Sequence, residues 1–290
     1  MRRWTKTILG VLVLAAIFVW FEIAKSPSAD VVDNSVHIFF LNVGQGDAEM
    51  MQAGNYQILI DGGPDDSVLA QIGKVMPVTD RKIETIILSH PHADHITGLN
   101  SILDRYEIGQ IYYSGVVYNS NIYKEFLDTA RAKNIPLKIP AVLQKESLFA
   151  NSKLTFLWPG ERYKDRSIDN LNNSSEVVSF CYFTHCALFT GDIETDEQAT
   201  MIANYSSNLA IFQTEILKLS HHGSANGTNQ VLLDLSKPKY AVIEVGANNK
   251  YGHPHVATLD LLDKNKIQYF RTDRDGMIDF VMTEQGIIKK

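Results

Sequence analysis

His90-Pro91-His92-Ala93-Asp94-His95 puts four side chains able to bind a metal into six positions, directly behind the apolar run Thr85 to Leu88. That run reads as a strand, and the residues after it as a loop turning into a helix. In an extended loop, residues two apart face the same way. His90 and His92 can therefore grip one ion while Asp94 and His95 hold another. A surface loop has no use for three histidines and an aspartate at this spacing. The stretch reads as a two-metal site at the end of a strand.

Working outward, extended runs alternate with helical ones. Val36 to Asn42, Gln57 to Ile60, Val177 to Phe183, Ala187 to Thr190, Glu215 to Leu219 and Tyr240 to Val245 read as strands. Ile122 to Lys133, Glu194 to Tyr205 and Val256 to Lys264 have helical spacing, the second opened by Thr195 with Gln198 as a capping box. Strands closed by helices on both outer sides point to an α/β (α+β) fold of two stacked sheets, αββα.

The six-residue stretch matches the HxHxDH motif of the metallo-β-lactamase superfamily, a resemblance that implies partners further along the chain. Asp192, in Phe189-Thr190-Gly191-Asp192, resembles the carboxylate that bridges the two metals. Asp61, in Leu59-Ile60-Asp61-Gly62-Gly63, resembles the early aspartate that orients the metal loop. A narrower resemblance rests on Phe40 to Ala48 (FLNVGQGDA), Leu217 to Ser224 (LKLSHHGS), Val245 to His255 (VGANNKYGHPH) and Arg271 to Gly276 (RTDRDG). These look like the C-terminal hydrolase domain of the competence DNA-uptake channel protein ComEC. The match spans about residues 36 to 290, and one short hydrophobic segment stands where that family has a multi-helix channel.

The metal ligands implied are His90, His92, Asp94, His95, Asp192 and a late histidine. His221, His222 and His253 all qualify as the last. His222 is favoured because it follows a strand and precedes Gly223, which leaves His221 for the substrate and His253 as either the late ligand or a leaving-group contact. The superfamily's middle histidine has no clear counterpart. His185 sits in an apparent hairpin turn, and ComEC-like domains show a polar stretch there, here Asn172 or Asn173 with Ser175. Asp94, Asp61, His253 and Lys218 form the candidate catalytic set, Lys218 as a neutraliser of phosphate. Gly44, Gln45, Gly46 and Asp47 form a candidate anion nest, joined by His221 and Ser224 as substrate contacts. Lys250 is a weaker phosphate candidate, and His37, inside a strand, reads as structural. The implied cofactors are two divalent ions, Zn²⁺ or Mn²⁺, and the preferred reaction is phosphodiester hydrolysis, nucleic acid being one such substrate. An ester, thioester or amide hydrolase and a non-catalytic envelope binding module are the rival readings.

The chain has 290 residues, 45% of them hydrophobic, and a net charge of -6. That charge argues against non-specific polyanion binding, although bound metal restores positive potential locally. Arg2, Arg3 and Lys6 precede the uncharged run Thr7 to Phe21, bracketed by Trp4 and Trp20. Residues 1 to 24 read as a membrane anchor with its N-terminus in the cytoplasm, 25 to 35 as a linker, and 36 to 290 as one extracytoplasmic hydrolase domain. A cleaved signal peptide, giving a secreted protein, is the rival. No protein partner is inferable. The only cysteines, Cys181 and Cys186, face each other across the base of the hairpin, either as a disulfide or as two buried thiols.

Overall fold

Two sheets, each carrying its helices on its outer face, organise residues 34–290, which are the residues this computed structural model describes. The first half runs β1 (Val36–Phe40), β2 (Glu49–Ala53), β3 (Tyr56–Ile60), α1 (Ser67–Val75), β4 (Lys82–Ile87), α2 (Ala93–Arg105), β5 (Glu107–Tyr112), α3 (Asn121–Ala132) and β6 (Leu137–Lys138). The second runs β7 (Lys145–Glu146), β8 (Ser152–Trp158), β9 (Val177–Tyr182), β10 (His185–Phe189), α4 (Thr195–Asn204), β11 (Ile216–Lys218), α5 (Gln230–Ser236), β12 (Tyr240–Ile243), α6 (Val256–Lys264) and β13 (Gln268–Arg271). After α7 (Thr272–Asp275), β14 (Ile278–Thr283) and β15 (Gly286–Lys289) return to the first sheet. The sheet orders are β15-β14-β1-β2-β3-β4-β5-β6 and β13-β12-β11-β10-β9-β8-β7.

Three apolar interfaces separate the four layers. Ile72, Leu99 and Phe126 of α1 to α3 pack on the outer face of the first sheet, and Phe40, Phe156, Phe180 and Phe280 fill the space between sheets. Met201, Leu232 and Leu262 of α4 to α6 pack on the outer face of the second. Strands buried on both faces lose the apolar–polar alternation of a half-exposed strand, which is why the runs read as nearly continuous apolar stretches.

Strand direction positions the site. β3, β4 and β5 are parallel, as are β10, β11 and β12. The loops leaving their carboxyl ends carry Asp61, the six-residue motif, Asp192, His222 and His253 to one edge of the sandwich.

Two local expectations need correction. Gln198 closes no capping box: α4 starts after Glu194 without a side-chain cap, and the buried Gln198 amide donates to the carbonyls of Ile193 and Gly227. His185 is not in the hairpin turn but in the strand, paired with Tyr182, and only Phe183 and Thr184 turn. Cys181 and Cys186 are directly opposite in that ladder and form a disulfide. The anchor helix and nearly all of the linker lie outside the described residues. Among the described residues no helix is long and apolar enough to cross a membrane.

Candidate metal centre

Asp61 occupies the left-handed region at φ 55°, a conformation costly for a residue with a Cβ. The conformation turns its carboxylate back under the metal loop. Asp61 accepts hydrogen bonds from the Ser89 backbone N–H at 2.8 Å, the Ser89 hydroxyl at 2.5 Å and His95 Nδ1 at 2.7 Å. Glycine makes the approach feasible. A Cβ on Gly98 of α2 would stand 2.0 Å from the Gly62 carbonyl oxygen, so the Asp61 turn can rest on α2 only where no side chain intervenes.

With Nδ1 held by Asp61, His95 aims Nε2 at the site. His222 is fixed in the same manner: its Nδ1 lies 2.9 Å from the Glu244 carbonyl oxygen and 3.1 Å from Asp47 Oδ1. His221 and His222 both have φ near 50°, followed by Gly223 at 78°, and this left-handed run swings the His222 ring inward from the end of β11. His222 is buried and His221 is partly exposed.

Around Asp192 the donors converge. Its Oδ2 lies 3.3 Å from His95 Nε2, 3.5 Å from His222 Nε2 and 4.0 Å from His90 Nε2. Asp94 Oδ2 lies 3.4 Å from His222 Nε2. Ligands held about 2.0–2.2 Å from a tetrahedral ion stand roughly 3.3–3.6 Å apart, a spacing met by the His95–Asp192, His222–Asp192 and Asp94–His222 pairs, while Asp94 Oδ1 and His95 Nε2 stand 4.0 Å apart. His90 Nε2 lies 4.0 Å from the same Asp192 oxygen and shares a hydrogen bond of 2.9 Å with His92 Nδ1, closer than two ligands of one tetrahedral ion stand.

The charge balance also calls for cations. His95 Nε2, His222 Nε2 and Asp192 Oδ1 are buried with no hydrogen-bond partner, a costly state for polar atoms unless an ion completes them. Burial pushes the His222 imidazole down, but Asp192 and Asp47 outweigh it and raise its pKa to about 10. Burial pushes Asp192 up, and the His222, His95 and Lys218 charges hold it well below the carboxylate range. The carboxylates around His95 and His222 thus favour positive charge at this spot.

Asn172 lines the cavity, its amide reaching toward Glu194 at 3.0 Å and the His221 ring at 3.5 Å. Ser175 lies behind it, accepting from the Asp192 N–H at 3.0 Å, and Asn173 accepts from the Glu194 N–H at 3.1 Å. His185, at the start of β10, pairs with Glu215 at the end of the strand opposite Asp192, and His37 pairs with Asp279. His253 faces the cavity with His221, ring centroids 5.5 Å apart, and its Nδ1 is buried without a partner. Burial, then the neighbouring His222 and His221 charges, hold it down to about 4.

Five expected substrate contacts, Lys218, Gly44, Gly46, Asp47 and Ser224, are corrected. Lys218 is fully buried, ion-paired to Asp47 and donating to the Gly191 carbonyl at 3.1 Å, so it neutralises protein charge and not phosphate. Asp47 is equally buried, and its N–H donates to the Asp94 carbonyl at 3.3 Å, which leaves no anion nest there. Gly46 serves close approach, since its Cβ would stand 2.1 Å from that same carbonyl oxygen. Ser224 is buried, bonding Asn226 at 2.6 Å outside the cavity. Of the Gly44 to Asp47 group, Gln45 alone lines the cavity.

Sequence reasoning also missed a polar layer beneath the centre. Glu49, Lys218 and Glu244 lie two residues along from Met51, Ile216 and Val242, whose side chains fill the space between sheets, and Glu176 lies two before Val178. All four are buried, and Asp47, Glu49 and Glu244 set three carboxyls facing Lys218. Burial first, then the facing Asp47 charge, raises Glu244 to about 8. Burial alone pushes Glu176 well up. Tyr118 and Tyr251, which line the cavity, were missed too; each follows a parallel strand at its carboxyl end, the one available signal.

Two sheets flanked by helices, with histidines and carboxylates gathered at the strand ends, define an α/β sandwich with a candidate metal site. The chain belongs to the Metallo-beta-lactamase superfamily, whose profile matches residues 41–246. It resembles ComEC-type competence proteins. It is 27% identical over 96% of its length to the Competence protein ComA of Neisseria gonorrhoeae, and 27% identical over 69% to the ComE operon protein 3 of Bacillus subtilis. It spans only 37% and 25% of those proteins. Among solved structures, the metallo-beta-lactamase fold protein YhfI from Bacillus subtilis superposes with a TM-score of 0.53 at 13% identity, over 82% of this chain and 96% of that one. CmlA, a diiron beta-hydroxylase from Streptomyces venezuelae, gives 0.53 at 14%, over 81% of this chain and 52% of that one. These likenesses show the fold alone.

Proposed function

We propose that this chain is a metal-dependent phosphodiesterase with two divalent ions, one held by His90, His92 and Asp192 and the other by Asp94, His95, His222 and Asp192. The observation that carries the reading is the convergence of these donors at the floor of an open cavity of about 380 Å³, with Asp94 still 32% exposed. A structural zinc site is closed by protein ligands, whereas this one leaves room for water and substrate. Bound ions supply Lewis acidity toward the scissile group and bring the pKa of water to about 7. The chain's own groups do the rest. Asp192 sits between both positions, Asp61 and Asp47 fix the imidazoles of His95 and His222, and His221 and His253 present ring nitrogens to the cavity wall, where they reach phosphoryl or leaving oxygens. His253, held neutral, offers one nitrogen as a donor and the other as an acceptor.

Similarity to proteins named for competence favours a nucleic-acid diester over the ester, thioester and amide alternatives. We further propose an N-terminal membrane anchor with the domain on the extracytoplasmic side, which the charge pattern of residues 1–24 and a disulfide suited to an oxidising compartment support. Full-length protein in detergent, given Zn²⁺ or Mn²⁺, should hydrolyse bis-p-nitrophenyl phosphate in preference to p-nitrophenyl acetate and nitrocefin. Faster turnover of either of the latter pair would replace the phosphodiesterase reading.

A further inference from the structure

Cys181 and Cys186 stand on the outer face of the second sheet, because their strand neighbours Phe180, Tyr182 and Ala187 point between the sheets. Leu188, two residues beyond Cys186 on that same face, is buried in the cluster beneath the helices, whereas Cys186 is only partly covered. The disulfide thus lies past the edge of the helical layer, at the far end of β10 from Asp192. Two cavities flank it. One, of about 270 Å³, is lined by both cysteines together with Lys145, Lys153 and Ser179. The other, of about 320 Å³, is lined by Cys186 but not Cys181, together with Thr214, Glu215 and Lys237.

We propose that this disulfide is an exchange site for a small thiol, which enters the cavity beyond Cys186 and is left joined to Cys186 as a mixed disulfide. The incoming thiolate attacks Cys186 Sγ and forms a new S–S bond there, while the Cys181–Cys186 bond breaks and its electron pair leaves on Cys181 Sγ. The thiol is the only co-reactant. Displacement at sulfur runs in line, with the nucleophile arriving opposite the departing atom. Cys181 and Cys186 are directly opposite across β9 and β10, so the space on the far side of Cys186 is the cavity toward β11, which Cys181 does not line. A thiolate departs most readily where a cation stabilises it. Lys153 on β8 is directly opposite Cys181, exposed and without a carboxylate partner among the described residues. The Ser179 hydroxyl, 3.7 Å from Cys181 Sγ, adds a donor. Cys186 has the opposite surroundings: its N–H donates to the Glu215 carboxylate at 2.8 Å, an acid that disfavours a second negative charge beside it. Burial points the same way, since Cys181 is only 7% exposed and Cys186 is more accessible. At about 320 Å³ the cavity beside Cys186 is near the lower bound for small-ligand sites, roughly 300 Å³, which suits a low-molecular-weight thiol.

The test exposes full-length, unreduced protein briefly to 2-mercaptoethanol at low salt, traps free thiols with excess N-ethylmaleimide and maps both labels by peptide mass. The mercaptoethanol should be found on Cys186 and the maleimide on Cys181, at a rate proportional to the thiol concentration. Lys153→Glu, an exposed position whose fold circular dichroism can check, should slow the exchange about threefold to tenfold, and Lys153→Arg should keep the wild-type rate. The gap should close in about 1 M salt, where the lysine's charge is screened. Mercaptoethanol on Cys181 with maleimide on Cys186, or an equal mixture of the two, would overturn the inference. So would a rate that levels off at the rate of global unfolding, since the disulfide would then be reached only in the unfolded chain. An unchanged rate in folded Lys153→Glu would overturn it as well.

Discussion

Lys218 shows how a single side chain changes meaning once its surroundings are known. In sequence it is a lysine beside two histidines at the end of a strand. In the fold it is the lysine facing Asp47, Glu49 and Glu244, and it holds the carboxylate that orients His222. Lys218→Met should strip buried Asp47 of its lysine partner, at a cost of about 3–5 kcal/mol in urea unfolding. It should also weaken zinc affinity about tenfold or more through the loosened His222. A variant of wild-type stability would remove the ion pair from the account. Glu176 gives a prediction of opposite character. Burial raises its folded pKa well above the ordinary 4.5, so its share of stability is present at pH below 4.5 and is lost as pH rises through the folded value. Thermal melts of wild type should therefore fall relative to those of Glu176→Gln as pH climbs from about 4.5; parallel curves would show that Glu176 is ionised in both states. Neither role was legible beforehand. A three-residue strand does not declare its inward phase, and an acid just before or after an apolar run looks like a surface residue.

Among elements, legibility followed how local the determinants are. α6 came out at the expected bounds, Val256–Lys264, and β4 and β10 carried the metal loop and Asp192 to their ends as the motif spacing implied. The start of α4 did not come out, because Gln198 is drawn to carbonyls of Ile193 and Gly227 that no local window contains. The same holds for the contact between the Asp61 turn and α2. The sequence marks Gly62 and Gly63 as a turn but does not say that Gly98, a mid-helix glycine, faces them. Gly98→Ala would put a Cβ 2.0 Å from the Gly62 carbonyl oxygen, and we expect a loss of about 1–3 kcal/mol together with weaker metal binding, since Asp61 must move off His95. Calorimetry with and without zinc would report both. An unchanged melting temperature in each state would mean that the turn and helix are less closely fitted than described.

At the scale of the whole molecule, the αββα stack brings residues more than a hundred positions apart, Asp47 to Lys218 and Asp94 to His222, onto one edge. Matching motifs sufficed to foresee this meeting of the candidate ligands. The cavity's aromatic walls could not be foreseen, since they depend on where two loops from different sheets come to rest. The compartment is a property of the same scale. If the domain lies outside the cytoplasm, protein recovered from its native compartment and alkylated without reductant should show neither Cys181 nor Cys186 modified by mass; two modified cysteines would contradict the disulfide there. The central claim, that catalysis resides in two ions held by this chain, is tested most directly by adding metal back. Full-length protein stripped with chelator should be folded yet inert toward bis-p-nitrophenyl phosphate, and its rate should rise with added Zn²⁺ or Mn²⁺ to a plateau near two ions per chain, while Asp192→Ala stays inert throughout. Turnover by the stripped protein, or a plateau reached equally by Asp192→Ala, would contradict the account.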